Sequence, residues 1–316
     1  YPQGDHLKID AVVEPQRYPK AGAPNAEVRL GVVAVSGGPT RWMDLGETRD
    51  YLLARVHWTP DSKRLIAHRL NRIQNHLWVM SAEAATGKAH LLIEETDPQW
   101  ININDDFEIL ADGTILRTSE KGEGFRHIYL HEASGRQKEQ LTNGGWEVTN
   151  LACVDEASKR VFFVSSEASP LERQLWVVGF NGKDKKKVTA EAGSHSITMS
   201  PRCDAFLDTH SSLEKPSRAA LRNSDGGEIA VWREADTKTE AEYAILKTEI
   251  HEFKGLDGTQ FYGRLIKPAG FDPLKKYPAV VQVYGGPHAQ SVRNAYSGLS
   301  TDQVLALDGF VVWQMD

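Results

Sequence analysis

The sequence predicts a mostly β chain: a partial β-propeller of four-stranded blades, followed by the first strands of an α/β domain. Two observations carry this. Over the first ~230 residues, short apolar strands centred on an aromatic or branched residue recur every ~44 to 51 positions, a period that fits propeller blades. From about Thr237 the texture changes to a helix candidate, a hairpin and a strand-helix-strand run, as an α/β sheet with mixed edge order would begin.

Tyr1 to Arg17 does not fit the repeat and reads as an extended arm; the prolines and glycine that follow, Pro19, Gly22 and Pro24, exclude regular helix. The recurring strands are Val32-Val33-Ala34, Leu77-Trp78-Val79, Ile128-Tyr129-Leu130, Leu175-Trp176-Val177 and, more weakly, Ala219-Ala220-Leu221. A polar turn and a second strand precede three of them: Asp61-Ser62-Lys63 before Leu65-Ile66-Ala67, Asp112-Gly113 before Thr114-Ile115-Leu116, and Ser158-Lys159 before Val161-Phe162-Phe163. A turn and a short outer strand follow two: Thr86-Gly87-Lys88 then Leu91-Leu92-Ile93, and Ser134-Gly135-Arg136 then Leu141-Thr142. This gives about five blades or parts of blades. A β-sandwich would also show short strands and turns, but would not repeat the same strand, turn and aromatic order.

Lys238 to Leu246 is a helix candidate with Ala241, Ala244 and Ile245 on one face. Strands are expected at Glu249 to Phe253 and Gln260 to Ile266, joined by an Asp257-Gly258 turn. Ala279 to Val283 is apolar enough to read as a buried strand, and Gly285, Gly286 and Pro287 end it abruptly, leaving Tyr284 at its carboxyl end. Open α/β sheets place binding groups there. A helix over Thr301 to Leu307, capped by Ser300 or Thr301 and closed by Asp308-Gly309, leads to a buried strand at Phe310 to Met315. So few strands with one helix leave one sheet face bare unless more chain covers it.

The 37 Lys and Arg against 43 Asp and Glu give a net charge of −6 spread along the chain, which argues against nucleic acid as a partner. The dense basic cluster, Lys183 to Lys187, follows Asn181-Gly182, is broken by Asp184, and reads as a solvated hairpin turn. Cys153 and Cys203 are too few for a disulfide framework, have no metal or redox spacing, and leave the redox compartment open. No apolar run approaches the ~20 residues of a membrane helix. Nothing calls for a cofactor. His127 and His131 would face together on a helix, but on the strand the pattern predicts they stand roughly 13 Å apart, which disfavours a metal.

Five stretches resemble the dipeptidyl peptidase IV branch of the prolyl oligopeptidase family: Arg17 to Asn25 (RYPKAGAPN), Arg72 to Asn75 (RIQN), Gly124 to Tyr129 (GFRHIY), Gly144 to Val148 (GGWEV) and Lys275 to Pro287 (KKYPAVVQVYGGP). Their order and approximate spacing match as well. The resemblance implies an eight-bladed propeller beside an α/β-hydrolase domain with a Ser-Asp-His triad. By that likeness, residues 1–237 are the partial propeller with its arm at 1–17, and 238–316 are a truncated N-terminal part of the hydrolase domain.

The resemblance also assigns roles. Tyr284, in Val283-Tyr284-Gly285-Gly286-Pro287, matches the family tyrosine that donates its hydroxyl to the oxyanion of the tetrahedral state. The triad itself is expected beyond Asp316, because the chain holds no Gly-x-Ser-x-Gly elbow. The family's amine-binding glutamate pair is expected upstream of the YPKAG element; Glu14, unpaired, belongs to a solvated arm. His288 is a candidate pocket residue after the Tyr284 turn, although a turn histidine is more often simply exposed. Trp100, Phe125 and Trp146 read as blade packing rather than a substrate rim.

The implied function is that of a serine exopeptidase fragment, its parent releasing Xaa-Pro or Xaa-Ala dipeptides from peptide amino termini, with the fragment itself inactive. The alternatives are a propeller interaction module with an inactive hydrolase-like domain, and an oligopeptidase or acylaminoacyl-peptidase relative. The likeness further implies a homodimer, with the arm meeting the partner chain, and a periplasmic or exported location that the residues themselves do not establish.

Overall fold

The structure, a computed structural model, describes residues 2–4, 7, 9, 13–15, 20–47, 49–122, 124–286 and 289–316. The chain forms two compact units, residues 1–116 with 131–138 and residues 117–130 with 139–316. Arg17 to Pro19 and His288 lie outside the described residues. In the described part of the expected arm, β1 (Pro2–Gly4) pairs antiparallel with β2 (Val13–Pro15), Gln3 opposite Glu14. Glu14 is exposed, as a solvated arm requires.

Next, β3 (Gly31–Val32) and β4 (Arg41–Trp42) form a two-stranded sheet. Four sheets of four strands follow, each in sequential order. The first holds β5 (Tyr51–Trp58), β6 (Arg64–Asn71), β7 (His76–Glu83) and β8 (Ala89–Thr96). The second holds β9 (Phe107–Ile109), β10 (Ile115–Ser119), β11 (His127–His131) and β12 (Gln137–Gln140). The third is β13 (Val148–Asp155), β14 (Arg160–Ser165), β15 (Gln174–Gly179) and β16 (Lys186–Lys187), and the fourth β17 (Ser194–Met199), β18 (Ala205–Ser212), β19 (Lys215–Asn223) and β20 (Glu228–Arg233). Such four-stranded meanders are the blades of a propeller. Trp78, Tyr129, Trp176 and Ala220 all fall on the third strand of a sheet, so the repeat read from the sequence is the repeat of that strand. Val32 alone among the anchors sits in the two-stranded sheet.

The inner strands are apolar on both faces because both faces are covered. In β6, Leu65 and Ala67 point into a cluster with Met43, Leu45 and Ala82, while Ile66 and Leu70 point the other way to Leu77, Val79, Ile93 and Phe107. In the other unit, Phe162 and Val164 pack with Leu175, Val177, Val188 and Phe206. Close turns need glycine. At Gly135 (φ +85°) a Cβ would lie 1.8 Å from the Leu92 carbonyl oxygen.

The cysteines depart from expectation. Cys153 on β13 and Cys203 in the turn before β18 form a disulfide, Cα atoms 5.9 Å apart and 50 residues apart in sequence. It joins the third sheet to the fourth. Two cysteines cannot make a framework, but a separation of about one repeat places them on neighbouring sheets, where a single bridge fits.

The helix after the fourth sheet is shorter than expected. α1 spans Thr237–Glu242, capped by the Asp236 carboxylate, which accepts from the Lys238 and Thr239 N–H groups. Tyr243 closes it and Ala244 is left-handed (φ +48°), so Ala241 and Ala244 form no buried face and both are exposed. Beyond it, β21 (Thr248–Lys254), β22 (Gln260–Ile266), β23 (Ala279–Val283) and β24 (Val311–Met315) form a sheet in the order β21-β22-β24-β23. The β21-β22 hairpin is antiparallel, and β23 runs parallel to β24 through the crossover helix α2 (Thr301–Leu307). α2 has the expected bounds, with Ser300 at its N-cap and Gly309 left-handed (φ +95°) past its end.

The expectation that β23 is buried fails. It is an edge strand paired only with β24. One face, with Val280 and Gln282, is partly covered, whereas Val281 and Val283 on the other are 62% and 58% exposed. The bare sheet face anticipated from the few strands and single helix is therefore present among the described residues.

Candidate functional site

Tyr284 follows β23 directly, and its backbone leaves the sheet at Gly285, whose φ of +66° admits glycine without strain. Its ring lies over Gly286, where an added Cβ would come within 2.5 Å of the ring edge. Tyr284 is 67% exposed, and among the described residues its hydroxyl has no hydrogen-bond partner. A phenol in this position is an available donor rather than a satisfied core group.

The strand that carries Tyr284 is held from below by α2. Asp302, in the first turn of that helix, pairs with Arg264 of β22 and accepts from the Gln282 side-chain amide of β23 at 2.8 Å. A carboxylate there also meets the positive end of the helix. Gln303 grips the backbone of Leu246 from both sides, accepting from its N–H at 2.8 Å and donating to its carbonyl at 3.0 Å.

The segment beyond Tyr284 is tied down at three places. The Asp316 carboxylate accepts from the N–H groups of Ser291 and Val292, both at 2.5 Å. Arg173 donates to the Gln290 side-chain oxygen at 2.5 Å, and the Gln290 amide donates to the Pro170 carbonyl at 2.8 Å. Asn294 uses all four of its polar groups: its N–H donates to Leu171 O (2.8 Å), its side-chain amide to Glu172 Oε1 (2.9 Å), its side-chain oxygen accepts from Leu213 N (3.1 Å), and its carbonyl from the Ser194 hydroxyl (3.1 Å). The third and fourth sheets thus grip the chain ten residues past Tyr284. None of Gln290, Asn294 or Asp302 carries a local sequence signal, because each matters only through partners distant in the chain.

Several resembling stretches meet one another. Arg72 of the RIQN stretch donates to the Ala23 carbonyl of the YPKAGAPN stretch at 2.5 Å and pairs with Asp50 at 3.3 Å. His127 of the GFRHIY stretch bonds the Gly144 carbonyl of the GGWEV stretch at 3.0 Å, and Trp146 packs edge-on against its ring. His127 also meets the Thr142 hydroxyl, and His131 bonds the Gly135 carbonyl at 2.9 Å, so each ring has its own separate partners. Trp146 packs as expected, stacked on Phe163. Trp100 and Phe125 do not: they are 49% and 41% exposed. The basic turn is solvated, yet Lys185 pairs with Glu167 and Lys186 with Asp225.

Near the Asn294 tether lies a recess of about 450 Å³ lined by Arg126, Glu147, Thr149, Asn150, Arg173 and Arg293, with His195 of β17 at its wall. Burial and the Arg293 charge pull the Arg173 guanidinium below its ordinary range, and Glu147 opposes them. His195 itself is fully engaged, Nδ1 with Asp208 at 2.8 Å and Nε2 with the Glu191 carbonyl at 3.1 Å.

Residues 3–217, about two thirds of the chain, match the family described as the dipeptidyl peptidase IV N-terminal region. The chain is 30% identical to dipeptidyl peptidase 8 of Mus musculus over 95% of its length, and 26% identical to a probable dipeptidyl peptidase 4 of Emericella nidulans over the same share. It spans 42% and 41% of the length of those proteins. The crystal structure of Porphyromonas gingivalis dipeptidyl peptidase 4 superimposes with a TM-score of 0.91 at 27% identity, covering 100% of this chain and 45% of that one.

Proposed function

Because the chain belongs to the dipeptidyl peptidase IV family, we propose that it is part of a serine exopeptidase that releases Xaa-Pro or Xaa-Ala dipeptides from peptide amino termini. In this reading residues 1–237 are the propeller portion and 238–316 the first part of an α/β-hydrolase domain. The catalytic Ser, Asp and His lie outside these 316 residues, among which no Gly-x-Ser-x-Gly elbow occurs. The chain by itself is then inactive.

The observation that carries the reading is Tyr284, an exposed phenol whose hydroxyl has no partner among the described residues, at the carboxyl end of a parallel strand. Acyl transfer puts negative charge on the carbonyl oxygen of the scissile bond, and a preorganised donor at that oxygen contributes about 3 to 4 kcal/mol to lowering the barrier. Tyr284 supplies that donor. It is kept in place by the β23-α2-β24 unit on one side and the Asn294 tether on the other. The test is the full-length protein acting on an Ala-Pro chromogenic substrate. Tyr284→Phe should cut kcat by about 10² to 10³ with little change in KM. An unchanged kcat would remove Tyr284 from the chemistry, and no turnover by the unaltered protein would sink the peptidase reading.

The β1-β2 ribbon is proposed as the arm that meets a second copy. Deleting residues 1–17 from the full-length protein should halve its mass in light scattering; a mass that falls only by the deleted segment counts against the arm.

A further inference from the structure

We propose that the arginine-lined recess beside the Asn294 tether is a carboxylate-binding subsite, taking an acidic side chain of a peptide downstream of the cleaved bond. This rests on the peptidase reading above. Three guanidinium groups, Arg126, Arg173 and Arg293, line the recess against one carboxylate, Glu147. Cations gathered with fewer anions than they need leave room for a negative ligand.

Two of the three arginines are already held in place: Arg126 has a carboxylate partner outside the recess, whereas Arg173 is aimed without being neutralised. Arg173 spends its Nη donors on neutral oxygens, the Pro170 and Glu172 carbonyls and the Gln290 side chain. Arg126 donates to the Thr149 carbonyl and pairs with Glu120 at 3.4 Å, while its Nε is shielded from solvent and has no partner among the described residues. Arg293 is exposed, and its charge acts on Arg173 more strongly than that of Glu147 does. An anion between Arg173 and Arg293 relieves that repulsion. A planar guanidinium pairs with carboxylate through two parallel hydrogen bonds, so an acidic side chain fits the donor set.

The recess also lies within an extended peptide's reach of Tyr284. Gln290, bonded to Arg173, is six residues from Tyr284, a span of at most ~20 Å of extended chain. A substrate whose scissile carbonyl sits at Tyr284 can reach the recess with the residues that follow it.

The test begins with binding to the 316-residue chain, which needs no turnover. Calorimetric titration would compare two amidated pentapeptides, Ala-Pro-Ala-Glu-Ala and its Gln counterpart, with inorganic phosphate as a third ligand. The Glu peptide should bind about fivefold more tightly than the Gln peptide at low salt, the worth of one partly screened ion pair. The preference should vanish in Arg293→Gln, survive in part in Arg293→Lys, and fade in about 0.5 M salt. Equal binding of the two peptides, absent binding of both, a preference untouched by Arg293→Gln, or phosphate binding without peptide discrimination would each overturn the proposal. In the full-length protein the same ratio should appear in KM, while Arg293→Gln leaves turnover of the Ala-Pro chromogenic substrate unchanged. If that substrate is not cleaved at all but the Glu preference in binding stands, the peptidase reading fails and the anion subsite does not.

Discussion

Removing the Cys153–Cys203 bridge is the most direct quantitative test of the packing between the third and fourth sheets. The bridge closes a loop of 50 residues. Chain-entropy arithmetic for a loop of that length gives about 4 kcal/mol of stabilisation, acting chiefly on the unfolded ensemble. The unit that contains it has about 190 residues, so its unfolding entropy is about 0.4 kcal/mol/K, and the loss corresponds to a fall in Tm of about 10 °C. Residual compactness of the unfolded chain shrinks this towards 5 °C. The assay is calorimetry of the unaltered chain, the chain with reductant, and the Cys153→Ser/Cys203→Ser double variant, with thiol titration under denaturant to count free sulfurs. Both perturbed samples should melt together and below the oxidised chain. Two free thiols in the unaltered chain, or melting points agreeing within about 1 °C, would refute the reasoning.

Asn294→Ala strands the Leu213 N–H and the Glu172 carboxylate, costing about 1 to 3 kcal/mol; hydrogen exchange across 289–296 should accelerate, and in the full-length protein kcat should fall more than KM changes. Asn294→Asp should be worse because it sets a second negative charge against Glu172; unaltered exchange in both variants would remove the tether's role. The His57 imidazole lies on Phe107 with no partner for its Nε2 among the described residues, and burial followed by the Arg55 charge holds its pKa below the ordinary value. The folded state then takes up its proton later than the unfolded state, so stability is full above the unfolded pKa of about 6.5 and declines as pH falls below it. In denaturant melts His57→Phe should flatten that decline, and an NMR titration placing His57 at or above the free-histidine midpoint would contradict it. Gly263→Ala drives a Cβ to within 2.0 Å of the Trp313 ring, so it should cost about 1 to 3 kcal/mol, relieved by Trp313→Leu; additive effects of the two changes would argue against the contact.

What the sequence made legible was whatever is written in local order. Trp78, Tyr129 and Trp176 mark third strands because the middle of such a strand is packed on both faces and so carries a short apolar run. α2 was readable to the residue, since Ser300 and Asp308-Gly309 supply the chemistry that starts and stops a helix. α1 was overextended because Ala244 adopts a left-handed conformation that no alanine advertises. The exposure of β23 depends on what flanks it, and an apolar run reads alike whether its neighbours are present or not. At the candidate site Tyr284 was visible from the strand and turn around it. Asn294, Gln290 and the arginine recess were not, because their meaning lies in partners about 80 to 170 residues away, beyond any local pattern.

The uncovered side of the mixed sheet also sets how the chain behaves in a tube. Val281 and Val283 are opposite Trp313 and Met315 in the register, giving a ribbon of apolar side chains along an edge strand with backbone groups still open to pairing. Attraction between such surfaces weakens on cooling. Samples should therefore scatter light more strongly as they are warmed from the cold, below any unfolding, and clear again when chilled. A single charge at Val281 should suppress the clouding without moving the melting transition.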